Sequence, residues 1–401
     1  MSTQASELFK SNEDYLKWDN YVANCDHIDG LAVDKREAAI EALQYLRGVF
    51  GEQFLRRAFN QRDRKHPHPL IQTIMMQASW SRLWLIHFIG ALRALSGVTN
   101  YGGLLKRIKN SNGFAEVESV LEVAFQLFRA GFSVSFDPEV MVIDGVGRLR
   151  KKTPDLKIIS DTGDEAIVEV SLLVQSIGFV KSEEVMRFIL PLMVDDFREL
   201  TLYAKMTDAI DESRVPETRT QLQSLAAEAK LTGKFCALVN DCIEAGTAPN
   251  AELELLDQWA EQRGICKAIS GPPVYSNELA RAIMKIRDKL AQLPADLPGI
   301  IVIPATGSAL FHRFGLEEIL GTLTEEISRY PKVFCVVLSH GYFGGTSHEL
   351  PTALIGPNAV ASRTLGGILK EQSLILMNPS CKFSASQALA RKLHQAFASS
   401  G

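Results

Sequence analysis

From Ala38 to Phe59 the chain reads AAIEALQYLRGVFGEQFLRRAF, with apolar residues recurring three and four positions apart, and comparable spacing continues to about residue 110. That is the helical period, so residues 1–110 are expected to form an N-terminal helical region. The polar NSNGF at Asn110 then hands over to AEVESVLEVAFQLFRAG. Ser111 or Asn112 suits the cap of this helix, Glu116 and Glu118 its first turn, and Gly131 its end. The period then shortens to two: FSVSF reads as a strand, DPEVMVIDGVGR as a hairpin region, and KKTPDLKIISDTGDEAIVEVSLL as two further strands. Between Lys181 and Gly271 helical spacing returns, which predicts a helical insertion at about 182–272. A helix, NELARAIMKIRDKLAQL, leads into the apolar runs GIIVIPA, KVFCVVLS and SLILMNP, which suit strands covered on both faces. The expected class is α/β, with one domain over residues 111–401 following the helical region.

Composition narrows the setting. A 401-residue chain with 46% hydrophobic residues can bury a substantial core, and its net charge of −4 leaves only local patches for binding an anion. Six cysteines lie far apart without metal spacing and read as reduced thiols. The N-terminus has no apolar core after a basic start, and the run LWLIHFIGALRAL is broken by His87 and Arg93. A cytoplasmic protein without membrane segments is expected.

Two acids stand out because they occupy strand positions where Val or Ile would be usual. Asp155 follows Pro154 at the head of LKII, and Glu169 lies within IVEVSLL, on the same face as Ser171. Carboxylates on adjacent strands repel unless a cation lies between them. Oxygen ligands of this kind suit Mg²⁺ or Mn²⁺, which can activate water and stabilise charge on a phosphodiester. The plainer reading is that Asp155 caps a turn and Glu169 pairs with an arginine.

The order of elements, with Glu122 in the helix, then Pro154-Asp155, then Glu169-Val170-Ser171, resembles the PD-(D/E)xK nuclease superfamily over about Phe114 to Leu173. The resemblance implies a restriction-endonuclease-like mixed sheet core flanked by helices. It further implies that Asp155 and Glu169 bind Mg²⁺ or Mn²⁺, with Glu122 completing the metal site and Glu118 second in line for that role. The family's lysine, two residues after the Glu, is Ser171 here. Lys157, on the face of Asp155, is the first substitute, ahead of Gln175 and Lys181.

For the phosphate backbone, RLRKK places Arg148, Arg150, Lys151 and Lys152 just before Pro154. Other basic clusters are Lys106, Arg107 and Lys109, and the run from Arg56 to His68. The expected function is a metal-dependent nuclease acting on DNA or RNA, of the kind found in bacterial defence or mobile-element systems. The alternative is a catalytically silent nuclease fold that binds nucleic acid or a partner protein, and a homo-oligomer is compatible with either. The loop LSHGYFGGTSHELP, with His340 and His348, and the HPHP segment, with His66 and His68, lack the spacing of a phosphate loop or metal motif and are read as ordinary loops.

Overall fold

The structure is a computed structural model that describes residues 8–59, 68–110, 112–143, 147–174, 196–206, 212–270, 278–305, 310–313, 315–343, 358–365, 369–383 and 387–398. The chain divides into two compact units, one of Met1–Val174 with Leu279–Gly401, the other of Gln175–Glu278.

The first unit opens with helices α1 (Trp18–Asn24), α2 (Val33–Phe50), α3 (Phe54–Phe59), α4 (Pro69–Met75), α5 (Ser79–Ala94) and α6 (Tyr101–Ile108). Helix α7 (Phe114–Arg129) follows. Its N-cap is Gly113, in the left-handed region at φ 70°, and no side chain caps it, so the cap expected from Asn112 is not made. Ser111 lies outside the described residues. At the other end Gly131 takes φ 82°, and the Phe132 N–H reaches back to the Leu127 carbonyl, which closes the helix where the glycine was expected to.

Strands β1 (Ser133–Phe136), β2 (Val140–Ile143), β3 (Leu149–Lys152), β4 (Leu156–Ile159) and β5 (Glu165–Val170) come next. The second unit does not follow its helical expectation. Between helices α8 (Val215–Thr232) and α9 (Leu253–Gln262) and around them run β6 (Thr201–Met206), β7 (Cys236–Val239), β8 (Ile243–Ala248) and β9 (Ile269–Ser270), paired in the order β7-β8-β6-β9. Segments such as CALV and TLYAKM are too short to reveal their period beside the long helices around them.

The first unit resumes with α10 (Glu278–Leu290), β10 (Gly299–Pro304), α11 (Leu310–Arg313), α12 (Leu316–Ser328), β11 (Val333–Phe343), β12 (Ala359–Leu365), β13 (Leu369–Met377) and α13 (Gln387–Ala398). Its described strands form a mixed sheet in the order β1-β4-β5-β10-β11-β13-β12, parallel at β5–β10 and β10–β11 and antiparallel elsewhere, while β2 and β3 make a separate antiparallel ribbon. Alternation along the strands builds two cores. Leu156, Ile158, Val168, Val170, Ile300 and Val302 pack with the N-terminal helices, α7 and α13. Ile167, Ile301, Ile303, Val336 and Leu338 pack on the opposite face with α10 and α12. The class is therefore α/β, with helices on both faces of a mixed sheet. Among the described residues no helix is long and apolar enough to cross a membrane.

Candidate functional site

Strands β4 and β5 pair with Leu156 opposite Val168, so the next pair along is Asp155 with Glu169. Leu156 and Val168 point into the core shared with α7, which turns their neighbours Asp155 and Glu169 toward the α10 face. Glu169 is fully buried. The N–H of Val170 donates to Asp155 Oδ2 at 2.9 Å and fixes that carboxylate. Between the two acids lies the ammonium of Lys289, near the end of α10. Its Nζ is 2.6 Å from Glu169 Oε2 and 3.2 Å from Asp155 Oδ2.

Burial pushes the Glu169 carboxyl up to about 7, with the Asp155 charge adding to the rise and Lys289 opposing it. For Lys289 burial is the largest influence and works against the charged form. The two carboxylates together outweigh it, so the ammonium is held above the usual lysine range.

No protein-family model matches this chain, and comparisons with curated proteins and with solved structures find no match.

A cavity of about 510 Å³ lies at this end of the sheet, lined by Asp155, Ser171 and Lys289 together with Arg107, Lys285 and the Gly113 turn at the start of α7. Glu169 Oε1 is buried and has no hydrogen-bond partner among the described residues. A buried, unpartnered carboxylate oxygen is costly unless it meets a donor or a cation. Glu169 and Asp155 thus offer hard oxygen atoms that fit a small divalent cation. They are a pair, and among the described residues no group of three or more His, Cys, Asp or Glu is placed to hold a metal.

The helix acid is the first correction. Glu122 does not approach Asp155: its Oε2 lies 2.7 Å from His87 Nε2, and its Oε1 accepts from Gln126. At about 100° per residue, Glu122 lies roughly 200° around α7 from the cavity-lining Val120. Glu118 shares that face, which packs on α5, and accepts from Trp84 Nε1 at 3.0 Å. Burial raises its carboxyl to about 7, opposed by the Trp84 hydrogen bond and reinforced by the Glu122 charge.

The second correction is Lys157. It has the expected face but lies toward the other end of β5, with its Nζ 2.8 Å from Glu165. Glu165 precedes Glu169 by four residues, about 13 Å along a strand. Gln175 and Lys181 lie outside the described residues.

Arg148, Arg150, Lys151 and Lys152 belong to strand β3 and its approach, and none of them lines the cavity. Lys151 pairs with Glu139. Beside Lys285 and Lys289, a cation from the cluster ahead of α7 does line it: Arg107, whose Nη2 is 3.0 Å from Asp137 Oδ1. Asp137 takes φ 47°, unusual for a residue with a Cβ, and its N–H donates to the Asp155 carbonyl. Burial raises its carboxyl; Arg107 opposes the rise and the Asp155 charge adds to it. His68 is buried and serves as a cap, with Nδ1 accepting from the Leu70 N–H. His340 is buried against Phe311, while His66 and His348 lie outside the described residues.

Sequence reasoning missed Lys289, although a signal for it was present. Leu279, Ala282, Ile286 and Leu293 form the buried stripe of this segment, and Lys289 sits on it, three after Ile286 and four before Leu293. A lysine on an apolar stripe needs a buried partner.

Proposed function

We propose that the chain is a metal-dependent phosphodiesterase of the PD-(D/E)xK kind, acting on nucleic acid, in which Lys289 takes the role that Ser171 cannot fill. The observation carrying this reading is the Lys289 ammonium held between Asp155 and Glu169. The element order supports it: helix α7, antiparallel β1, β4 and β5, then helix α10 and the parallel strand β10.

Asp155 and Glu169 would hold Mg²⁺ or Mn²⁺, which when bound supplies Lewis-acid charge to the phosphoryl group. Lys289 sets a positive charge beside those acids from the cavity wall, where it can orient water and offset the charge that develops on the phosphate. Arg107 and Lys285 are further cations in the lining, which also carries Glu116 and Asp288, and would be available to flanking phosphates.

The test is cleavage of plasmid, single-stranded DNA and RNA with Mg²⁺ or Mn²⁺, against EDTA. Asp155→Ala, Glu169→Ala and Lys289→Ala should each lower the rate by at least about a hundredfold. Ser171 lines the same cavity, so Ser171→Lys in the Lys289→Ala background should restore part of the lost rate. A parent protein that cuts none of these substrates with either metal would end the catalytic reading.

One observation favours the silent alternative: Lys289 already bridges both acids, so the site has a counter-ion of its own. In that case Mg²⁺ should neither bind in calorimetry nor raise the unfolding temperature, and nucleic-acid binding should proceed unchanged in EDTA.

A further inference from the structure

We propose that the β2–β3 ribbon is a reading head that seats in the major groove of B-form DNA, which makes duplex DNA the substrate of the site beside it. This rests on the phosphodiesterase reading above and adds the substrate's form.

The ribbon has two unlike faces. Met141 is opposite Lys151 and Ile143 is opposite Leu149, so these four share one face, while Val140 and Val142 share the other with Lys152 and Arg150. Val142 is buried and Val140 packs against the core beneath α10 and α12. That face is the anchored one. The opposite face is turned away, with Met141 53%, Ile143 55% and Leu149 67% exposed. Three large apolar side chains grouped on a two-stranded ribbon are more than scattered surface residues, and they mark a surface that meets something.

Charge decides what it meets. Lys151, paired with Glu139, shares the apolar face, Arg150 and Lys152 project from the other face of the same strand, and Arg148 stands just before it, so the ribbon as a whole is basic. A second copy of this ribbon would bring like charges together, whereas a polyanion would not. Among polyanions, the geometry selects one. Two strands about 4.8 Å apart with their side chains fit the major groove of B-form DNA, about 12 Å wide, but not the minor groove at about 6 Å. In A-form RNA the major groove is too narrow and deep for side chains to read. Seated in B-form DNA, the apolar residues face base edges and thymine methyl groups with Lys151 beside them, while the long basic side chains on the ribbon's other face extend toward phosphates at the groove's rim. Lys152 precedes Asp155 by three residues, so the ribbon is tied to the acid pair by about 10 Å of chain.

Binding of the full-length chain in EDTA, where cleavage is blocked, tests this with labelled duplex DNA of about two helical turns, its single strand, and double-stranded RNA of equal length. The parent should prefer duplex DNA. The combined variant Met141→Ser, Ile143→Ser, Leu149→Ser should lose about tenfold or more on duplex DNA, with its salt slope unchanged because the cations remain. Its unfolding temperature should match that of the parent. Should the combined variant misfold, Leu149→Ser alone carries the same comparison at the most exposed position. The inference is overturned if the parent binds the three probes equally or binds none, if the variant binds duplex DNA as well as the parent, or if the variant instead loses a parent dimer in sedimentation. A parent that cuts single strands but fails the duplex comparison overturns the ribbon alone. A parent that prefers duplex DNA but cuts nothing overturns catalysis and leaves the ribbon standing.

Discussion

Lys289 changes what removing any one member of the charged trio should do. Two crowded acids without a counter-ion would repel, and deleting one would cost no stability. With the ammonium between them, deleting either acid leaves the lysine paired with the other, whereas deleting the lysine strands two acids in a buried place. Lys289→Met should destabilise the metal-free protein by about 3 kcal/mol, as breaking a buried pair does. If the acids accept a divalent cation, Mg²⁺ should then raise the unfolding temperature of Lys289→Met more than that of the parent. Equal shifts would show that the acids do not take up the cation. A second residue tests a different charge. Glu118, raised to about 7, lies beside Glu122 and His87 under the Trp84 hydrogen bond. Because its folded value lies above its ordinary 4.5, its contribution to stability is intact below about pH 4.5 and is lost as pH rises through about 7. Glu118→Gln, which keeps an acceptor for Trp84, should match the parent near pH 4.5 and exceed it at pH 8 by on the order of 1 kcal/mol in denaturant titrations.

At the scale of elements, α10 shows why one half of the site was legible and the other was not. Asp155 and Glu169 declared themselves because an acid inside a short apolar strand breaks the local pattern, and strand pairing across a short hairpin brings them together. Glu122 misled because α7 is buried on more than one side: Val117 and Val120 line the cavity while Glu118 and Glu122 meet α5, and an acid's presence in a helix does not say which neighbour it faces. Lys289 was hidden by distance, 120 residues from Glu169, and by company, since KIRDKL reads as a solvated surface. The sheet order had the same difficulty. The apolar runs marked β10, β11 and β13, but nothing local to them says that β10 lies against β5. That junction also places the end of α10. A Cβ added to Gly299, at the start of β10, would meet the Leu293 side chain, itself buried and four residues beyond Lys289. Gly299→Ala should therefore cost about 1–3 kcal/mol by overpacking and, by moving the end of α10, lower cleavage without touching an acid. Thermal unfolding together with rates at saturating substrate checks both halves.

Across the whole molecule, the second unit is inserted between two points of the first that already meet. Arg281 Nη2 donates to the Val174 carbonyl at 2.8 Å, so the chain leaves and re-enters the first unit at neighbouring positions. Replacing residues 176–276 with a short glycine-serine linker should leave the first unit folding cooperatively, with its secondary structure retained in circular dichroism. A chain that collapses without a cooperative transition would show that the first unit needs the insertion to fold. The same connectivity has a consequence in time. The β4–β5 hairpin is local and closes early, whereas α10 must return across the whole insertion, and distant closures come late. During refolding the acids therefore face each other before their lysine arrives. Added salt should speed refolding at neutral pH by screening the two acids, and Asp155→Asn should remove most of that gain, leaving the lysine to dock on a hairpin that no longer resists its own closure.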